Sequence, residues 1–257
     1  MSDRLAAEPC TGKLYGIGVG PGDPELLTLK AHRLLIAAPV VAYPAAADSQ
    51  SVARAIVADF LRPGQLEIPI VLPFSPCESA QPGYDRGAAE IAFHLQAGRD
   101  VVVLCEGEPM LYGSFMYLLD RLGDRFVTEV VPGISSTLAA AAMAGLPLTY
   151  RQDVLTIAPA TLDQASLRDR LAHSDAAVII KLGRHFAKVR SILAELGLLE
   201  RARYVERATL PTQKILPIAA IDPATVPYWS LIVIPSANNP RDRQEAPRSP
   251  RGLVNGS

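Results

Sequence analysis

Short apolar runs that alternate with amphipathic stretches restrict the fold of this chain more than any other feature of it. Lys13 to Val19 (KLYGIGV), Val40 to Tyr43, Leu66 to Leu72, Asp100 to Cys105 (DVVVLC) and Val127 to Val131 read as short buried strands. Between them, apolar residues recur at helical spacing over about Glu25 to Ala38, Ser51 to Leu61, Tyr84 to Gln96 and Ser114 to Leu122. Asp23 followed by Pro24 is a helix start, a capping oxygen and then a proline at the first helical position. An alanine-rich helix is expected from about Ser135 to Ala144. Strands that alternate with helices imply a largely parallel sheet covered on both faces, so the expected fold class is α/β.

The second half has a different rhythm. Val154 to Ala158 and Ala176 to Leu182 read as strands around a helix near Leu162 to His173, and a further helix is expected near Phe186 to Leu196. Strand-like segments then follow closely at Arg203 to Arg207, Lys214 to Pro217 and Trp229 to Ile234, which points to a mixed sheet. Gly145-Leu146-Pro147 stops the alanine-rich helix. The expected organisation is a flexible leader at 1–12, an N-terminal α/β domain with a parallel sheet at 13–147, a C-terminal α/β domain with a mixed sheet at 148–239 and a disordered, apolar-poor tail at 240–257.

Composition excludes several classes. The 257 residues are 49% hydrophobic with a net charge of −1, which argues against broad nucleic-acid binding while leaving room for a local basic pocket. No apolar run approaches the roughly 20 residues that span a bilayer. The first residues lack the basic and apolar pattern of a secretory signal. Cys10, Cys77 and Cys105 stand far apart and form no CxxC pair, so neither a disulfide framework nor a zinc site is supported, and a reducing cytoplasm is expected. No HxH, HExxH or clustered carboxylates occur, so no catalytic metal is expected, and GxSxG is absent too. His32, His94 and His173 stand alone in helical stretches and read as surface or satisfied side chains.

The first strand ends in Gly18-Val19-Gly20-Pro21-Gly22, a place where open α/β sheets gather ligands. A dinucleotide fingerprint does not fit. From Gly16 and Gly18 the third glycine position is Pro21, and from Gly18 and Gly20 it is Asp23. No GxxxxGK[ST] loop occurs either. Two readings of the loop stay open at this level, a tight strand-to-helix turn or a ligand contact made through backbone that glycine leaves unobstructed.

Four ordered segments narrow the choice: GIGVGPGDPELLTLKA at Gly16 to Ala31, CEGEPMLYGSF at Cys105 to Phe115, VVPGISSTLAAAAMAGLPLT at Val130 to Thr149 and VERAT at Val205 to Thr209. Together, over about residues 13–236, they resemble the tetrapyrrole (precorrin and uroporphyrinogen) methylase family. The first two segments look most like the members that methylate C20 of a corrin precursor. The resemblance implies two α/β domains with a cofactor cleft between them, usually in a homodimer, and S-adenosylmethionine as methyl donor. By motif position the cofactor contacts fall on Pro21, Glu106, Gly107, Glu108, Leu111, Ser135, Ser136, Leu182 and Ala208, many of them through backbone. Family members commonly carry GDP where this chain has Gly107-Glu108-Pro109, and glutamate keeps the charge while adding a methylene.

The chemistry implied asks little of acid–base groups. A sulfonium methyl is already activated, so alignment supplies most of the acceleration. The proton left on an electron-rich meso carbon must still depart, to a carboxylate or to water. Glu108 is the candidate acceptor, against the plainer reading that it only contacts cofactor or backbone. A tetrapyrrole with eight carboxylates calls for arginine and lysine, and Arg151, Lys181, Arg184 with His185, and Arg207 are the candidates, each weighed against ordinary solvated charge. Tyr15, Tyr43, Tyr112 and Trp229 are candidates to line a macrocycle pocket or, equally, core. The competing readings are another acceptor on the same fold (cobalt-factor II, another corrin precursor, an rRNA ribose or diphthine), a non-catalytic tetrapyrrole or adenosyl-ligand carrier, and an oxidoreductase weakened by the missing fingerprint. The near-neutral charge weakens the RNA option.

Overall fold

Five strands form the first sheet of the computed structural model, which describes residues 11–47, 49–73 and 78–238. They are Leu14–Gly18 (β1), Val40–Ala45 (β2), Leu66–Val71 (β3), Val101–Cys105 (β4) and Thr128–Val131 (β5), parallel throughout and ordered β3-β2-β4-β1-β5. The helices are Leu29–Ala37 (α1), Val52–Ile56 (α2), Gln81–Gln96 (α3), Phe115–Leu122 (α4) and Ser136–Met143 (α5). Successive strand side chains point to opposite faces. Leu14, Ala42, Val101 and Val103 therefore pack with α3 and α4, whereas Ile17, Val41, Val102 and Leu104 pack with α1 and α2. Each of the buried valine, leucine and isoleucine side chains contributes roughly 1.5–3 kcal/mol.

Phe115 fills the space left by a residue without a side chain. A Cβ on Gly16 would lie 2.4 Å from the Phe115 ring, so β1 carries glycine where a regular strand carries an apolar side chain. Neighbouring β1 and β4 send the chain in opposite directions along the sheet, one toward β2 and the other toward β5. Their carboxyl ends thus form the kind of switch point at which α/β sheets bind ligands.

The second sheet comprises Leu155–Pro159 (β6), Ala176–Ile180 (β7), Arg203–Glu206 (β8), Lys214–Pro217 (β9) and Ser230–Ile234 (β10), ordered β6-β7-β10-β8-β9. Strand β6 runs parallel to β7, and β10 runs antiparallel to both β7 and β8. Ala177, Ile179, Tyr204 and Ile232 pack against Gln164–Ala172 (α6) and Phe186–Glu195 (α7), while Val178, Val205, Leu231 and Val233 meet Ala140 and Ala141 of α5.

Contacts divide the chain into two compact units, Met1–Ala139 with Thr209–Pro211, and Ala140–Ala208 with Thr212–Ser257. The division runs inside α5, ahead of the Pro147 stop, because Ala140 and Ala141 are buried on the second sheet. The leader at 1–12 falls almost entirely, and the tail at 240–257 wholly, outside the described residues, as do Cys10 and Cys77.

Two expected helices are shorter than their periodicity. Asp23 caps only a 3-10 turn at Pro24–Leu26, and Leu27 is extended. The α-helix restarts at Thr28, whose hydroxyl accepts from Ala31 N at 3.2 Å, so two successive caps break the expected run from Glu25 to Ala38. The helix expected over Ser51 to Leu61 ends at Ile56, and Ala58–Phe60 forms a separate 3-10 turn. The consecutive β-branched pair Ile56-Val57 disfavours continuation. Among the described residues no helix is long and apolar enough to cross a membrane.

Candidate functional site

At the carboxyl end of the first sheet, three loops meet through their backbones. A Cβ on Gly18 would stand 2.5 Å from both Gly107 O and Gly133 Cα, and one on Gly133 would stand 2.0 Å from Gly107 O. No other residue type fits this approach. Gly107 N donates to Gly20 O at 2.8 Å and Val19 N to Cys105 O at 2.9 Å, which ties the loop after β1 to the loop after β4. Gly20 and Gly107 have φ of +81° and +65°, in the left-handed region.

Glu108 joins the third loop. Its Oε2 accepts from Gly133 N at 2.9 Å and its Oε1 from Met110 N at 3.0 Å. Both carboxylate oxygens thus hold backbone amides, a charge-assisted arrangement that fixes one loop on another. Ser135 acts at the start of α5: its hydroxyl lies 2.8 Å from Thr137 Oγ1, and its carbonyl accepts from Leu138 N and Ala139 N at 3.1 and 3.0 Å. Pro21, Glu106, Gly107, Glu108, Leu111, Ser135 and Ser136, seven of the nine expected cofactor contacts, belong to these loops.

Glu106 is the most desolvated acid of the group. Burial pushes its carboxyl above the ordinary glutamate range, and backbone amides of Glu106 itself and of Ala53 only partly offset this. Cys105 is buried beside it, and burial pushes its thiol up to about 12, so it stays protonated and inert. Tyr15 and Tyr43 belong to the core face of α1 and α2, whereas Tyr112 is half exposed with φ +56°.

The loops carry no lysine or arginine between residues 18 and 23, 105 and 112, or 131 and 136. A phosphate-bearing cofactor would find no cationic partner there. A cationic sulfonium with an uncharged nucleoside suits close-packed backbone and two nearby acids, so the residues present fit an S-adenosyl donor. Among the described residues no group of three or more metal-ligating side chains occurs.

Thr209–Pro211 belong to this unit as well. Thr209 Oγ1 accepts from Asp23 N at 2.9 Å, and a Cβ on Gly22 would meet the Leu210 side chain at 2.7 Å. Sequence reasoning missed Thr209. The signal available was its place in VERAT, with a hydroxyl to offer a loop amide.

In the second unit the carboxyl ends of β7 and β8 and the starts of β9 and β10 share one end of the sheet. Lys181, Arg184, Arg207 and Lys214 are gathered there with Tyr228 and Trp229, whose rings meet edge-on at 5.2 Å and are 53% and 38% exposed. His185 is held neutral, its imidazole pushed down by burial and by Lys188 and Arg184. Arg151 is elsewhere. It precedes β6, in a turn where Leu148 O accepts from Ser236 N at 2.9 Å, just past the far end of β10. Leu182 and Ala208 are buried side chains, leaving only their backbone to offer a ligand.

Lys181 and Arg207 have φ of +56° and +48°, and Arg151 has +47°. Non-glycine residues in this region carry a strain of roughly 1–3 kcal/mol that the surroundings must offset. At Arg207 the offset is visible: its N donates to Trp229 O at 2.8 Å and its NH1 to Glu206 Oε1 at 3.1 Å. Glu206 is 5% exposed and also receives Tyr204 OH at 2.8 Å and Lys214 Nζ at 3.2 Å. Burial and this carboxylate push the Tyr204 hydroxyl up, so it remains a donor. The cue for Glu206 was present, since residues 204 and 206 share one face of a strand.

The family model for tetrapyrrole (corrin/porphyrin) methylases matches residues 13–222. The cobalamin biosynthesis protein CobIJ of Mycobacterium tuberculosis is 46% identical over 233 residues, covering 87% of this chain but 46% of that protein, so the chain spans about half the length of that relative. The precorrin-2 C(20)-methyltransferase of Sinorhizobium is 42% identical over 87% of this chain and 95% of its own length. The cobalt-precorrin-2 C(20)-methyltransferase of Salmonella typhimurium is 32% identical over 87% and 96%. Among solved structures, a cobalt precorrin-4 methyltransferase matches with TM-score 0.71 at 27% identity, covering 87% of this chain and 94% of that one. A Thermus thermophilus uroporphyrin-III C-methyltransferase complexed with S-adenosyl homocysteine matches with TM-score 0.63 at 29% identity, covering 87% and 92%.

Proposed function

The chain belongs to the tetrapyrrole methylase family, and from that premise we propose that it methylates C20 of precorrin-2 with S-adenosylmethionine, giving precorrin-3A on the route to cobalamin. The observation that carries this reading is the nearly full-length match to the Sinorhizobium enzyme at 42% identity. The metal-free substrate is preferred because the relative named for the cobalt-bearing one stands at 32%.

When bound, S-adenosylmethionine supplies an activated methyl on a cationic sulfur. The three loops at the end of the first sheet hold the donor through backbone and orient it. Lys181, Arg184 and Arg207 bind carboxylates of the acceptor ring, and Trp229 offers it an aromatic surface. Arg151 lies at the far end of that sheet and has no part in this group. Glu108 works as a loop clamp, since both of its oxygens are already engaged by amides. The departing meso proton then needs only water. The protein acts in the cytoplasm as a homodimer, which sedimentation of the purified chain tests.

Incubation with precorrin-2 and methyl-labelled S-adenosylmethionine decides the assignment. Label on C20 supports it. Label at another carbon, preferential turnover of the cobalt-loaded ring, or tight ligand binding without turnover each replaces it.

A further inference from the structure

The VERAT segment holds a buried acid, Glu206, that the methyl-transfer reading leaves without a role. In a regular strand, residues 206 and 207 point to opposite faces. Here Arg207 turns out of β8 with φ +48°, and its NH1 folds back to reach the Glu206 carboxylate of its own strand at 3.1 Å. Lys214, opposite Glu206 in the β8–β9 register, reaches the same oxygen at 3.2 Å. The other oxygen is held by Tyr204 OH at 2.8 Å, from within the packed core. The Glu206 side chain is 6% exposed, whereas those of Arg207 and Lys214 are 39% and 57% exposed. A buried anion therefore grips two cations whose stems reach solvent. Burying a carboxylate is unfavourable unless its partners are well placed, and stability alone is met as well by an apolar residue. The arrangement does something an apolar residue does not, in that it fixes where two positive groups stand.

We propose that Glu206 is a positioning residue, whose buried carboxylate sets the stance of Arg207 and Lys214 and through them the enzyme's affinity for its polycarboxylate ring. The inference rests on the substrate reading given above. It requires Glu206 to act on substrate binding and not on the methyl donor.

The test is steady-state kinetics of the full chain with precorrin-2 and S-adenosylmethionine. Glu206→Gln keeps a partner for Tyr204 but removes the charge, and it is expected to raise KM for precorrin-2 about tenfold. The KM for S-adenosylmethionine and kcat should stay within threefold. Glu206→Asp, which keeps the charge on a shorter arm, should fall between wild type and Gln. Adding Glu206→Gln to Arg207→Ala should raise KM no further than Arg207→Ala alone. If Arg207→Ala raises KM and folded Glu206→Gln does not, the positioning role is overturned and the substrate reading stands. If neither variant changes KM, Arg207 does not meet the substrate and the positioning role is overturned with it, whereas the underlying reading fails only if the wild-type chain does not turn over precorrin-2. Equal changes in both KM values and kcat mark a merely structural residue and overturn the proposal. Should Glu206→Gln not fold, Glu206→Asp decides: a raised precorrin-2 KM alone supports the role, and an unchanged one ends it.

Discussion

The two sheets end in opposite materials. The loops at the end of the first are built from backbone, three glycines pressed together with no side chain between them. The corresponding end of the second is built from side chains, with Arg207 and Lys214 held by one buried glutamate and Lys181 and Arg184 at the same sheet end. The first kind of surface is specified by what is missing and tolerates no added atom. The second is specified by charge and distance, and it degrades by degrees. A ligand held by backbone constrains residue identity weakly except at glycine, whereas a ligand held by cations writes itself into the sequence as charge.

The sharpest way to break this contrast is Gly133→Ala. Its Cβ would lie 2.0 Å from Gly107 O, and the loops must separate to admit it. We expect S-adenosylhomocysteine affinity, measured by calorimetry, to fall more than about 100-fold, that is by more than about 2.7 kcal/mol. Gly145→Ala is the control, with φ +63° but nothing within 4 Å of the added atom, and it should cost only about 1 kcal/mol of stability with donor affinity intact. Similar affinity losses for both would show that backbone packing is not what holds the donor.

On the other sheet, single losses should be graded. Lys181→Ala and Arg184→Ala are each expected to raise KM for the acidic acceptor roughly threefold to tenfold, about 1 kcal/mol per charge-assisted contact, with no change in S-adenosylhomocysteine affinity. A loss of donor affinity instead would erase the division of labour.

Glu108 links the two ways of building, a side chain used to fasten backbone. Glu108→Gln keeps the shape but weakens two charge-assisted bonds, so chemical denaturation should show a loss of about 1–2 kcal/mol. If Glu108 acts only as a clamp, as proposed, kcat should fall less than about threefold and the pH–rate profile should keep its shape. A hundredfold loss of kcat, with stability unchanged, would restore it as the proton acceptor.

The smallest expected effect concerns Glu106. Burial raises its folded-state pKa, so the stability it contributes is complete below the ordinary glutamate value of about 4.3 and is lost as pH rises through the folded value. Glu106→Gln should therefore raise Tm by about 2 °C at pH 8. Scanning calorimetry should find that gain gone at pH 4, and an equal gain at both values would mean that charge burial is not its origin.

Much of this was legible in the amino-acid order. Buried parallel strands announce themselves as continuous apolar runs, so β1, β4 and β7 stand where KLYGIGV, DVVVLC and AAVII predicted them. Seven of the expected cofactor positions lie on loops that share one sheet end, because motif spacing fixes a loop relative to its strand. Less was legible where two local signals compete, as Asp23 and Thr28 both cap and so cut one helix from its expected start. Arg151 was a candidate beside Lys181, but the structure sets it before β6, at the other end of the second sheet; sequence does not say which end of a sheet a flanking segment occupies. Glu206 went unread because an acid in a strand looks solvated until its neighbours in space are known.

The Thr209–Pro211 tripeptide has a temporal corollary. The Asp23 amide leaves the ribosome early, yet its hydroxyl partner is translated 186 residues later. A nascent polypeptide interrupted anywhere before that threonine carries an unfinished first lobe, however perfectly its five strands have already zipped. Completion of the amino-terminal lobe is thus deferred until all of Ala140–Ala208 has been translated, although β9 and β10 of the second sheet are still to come.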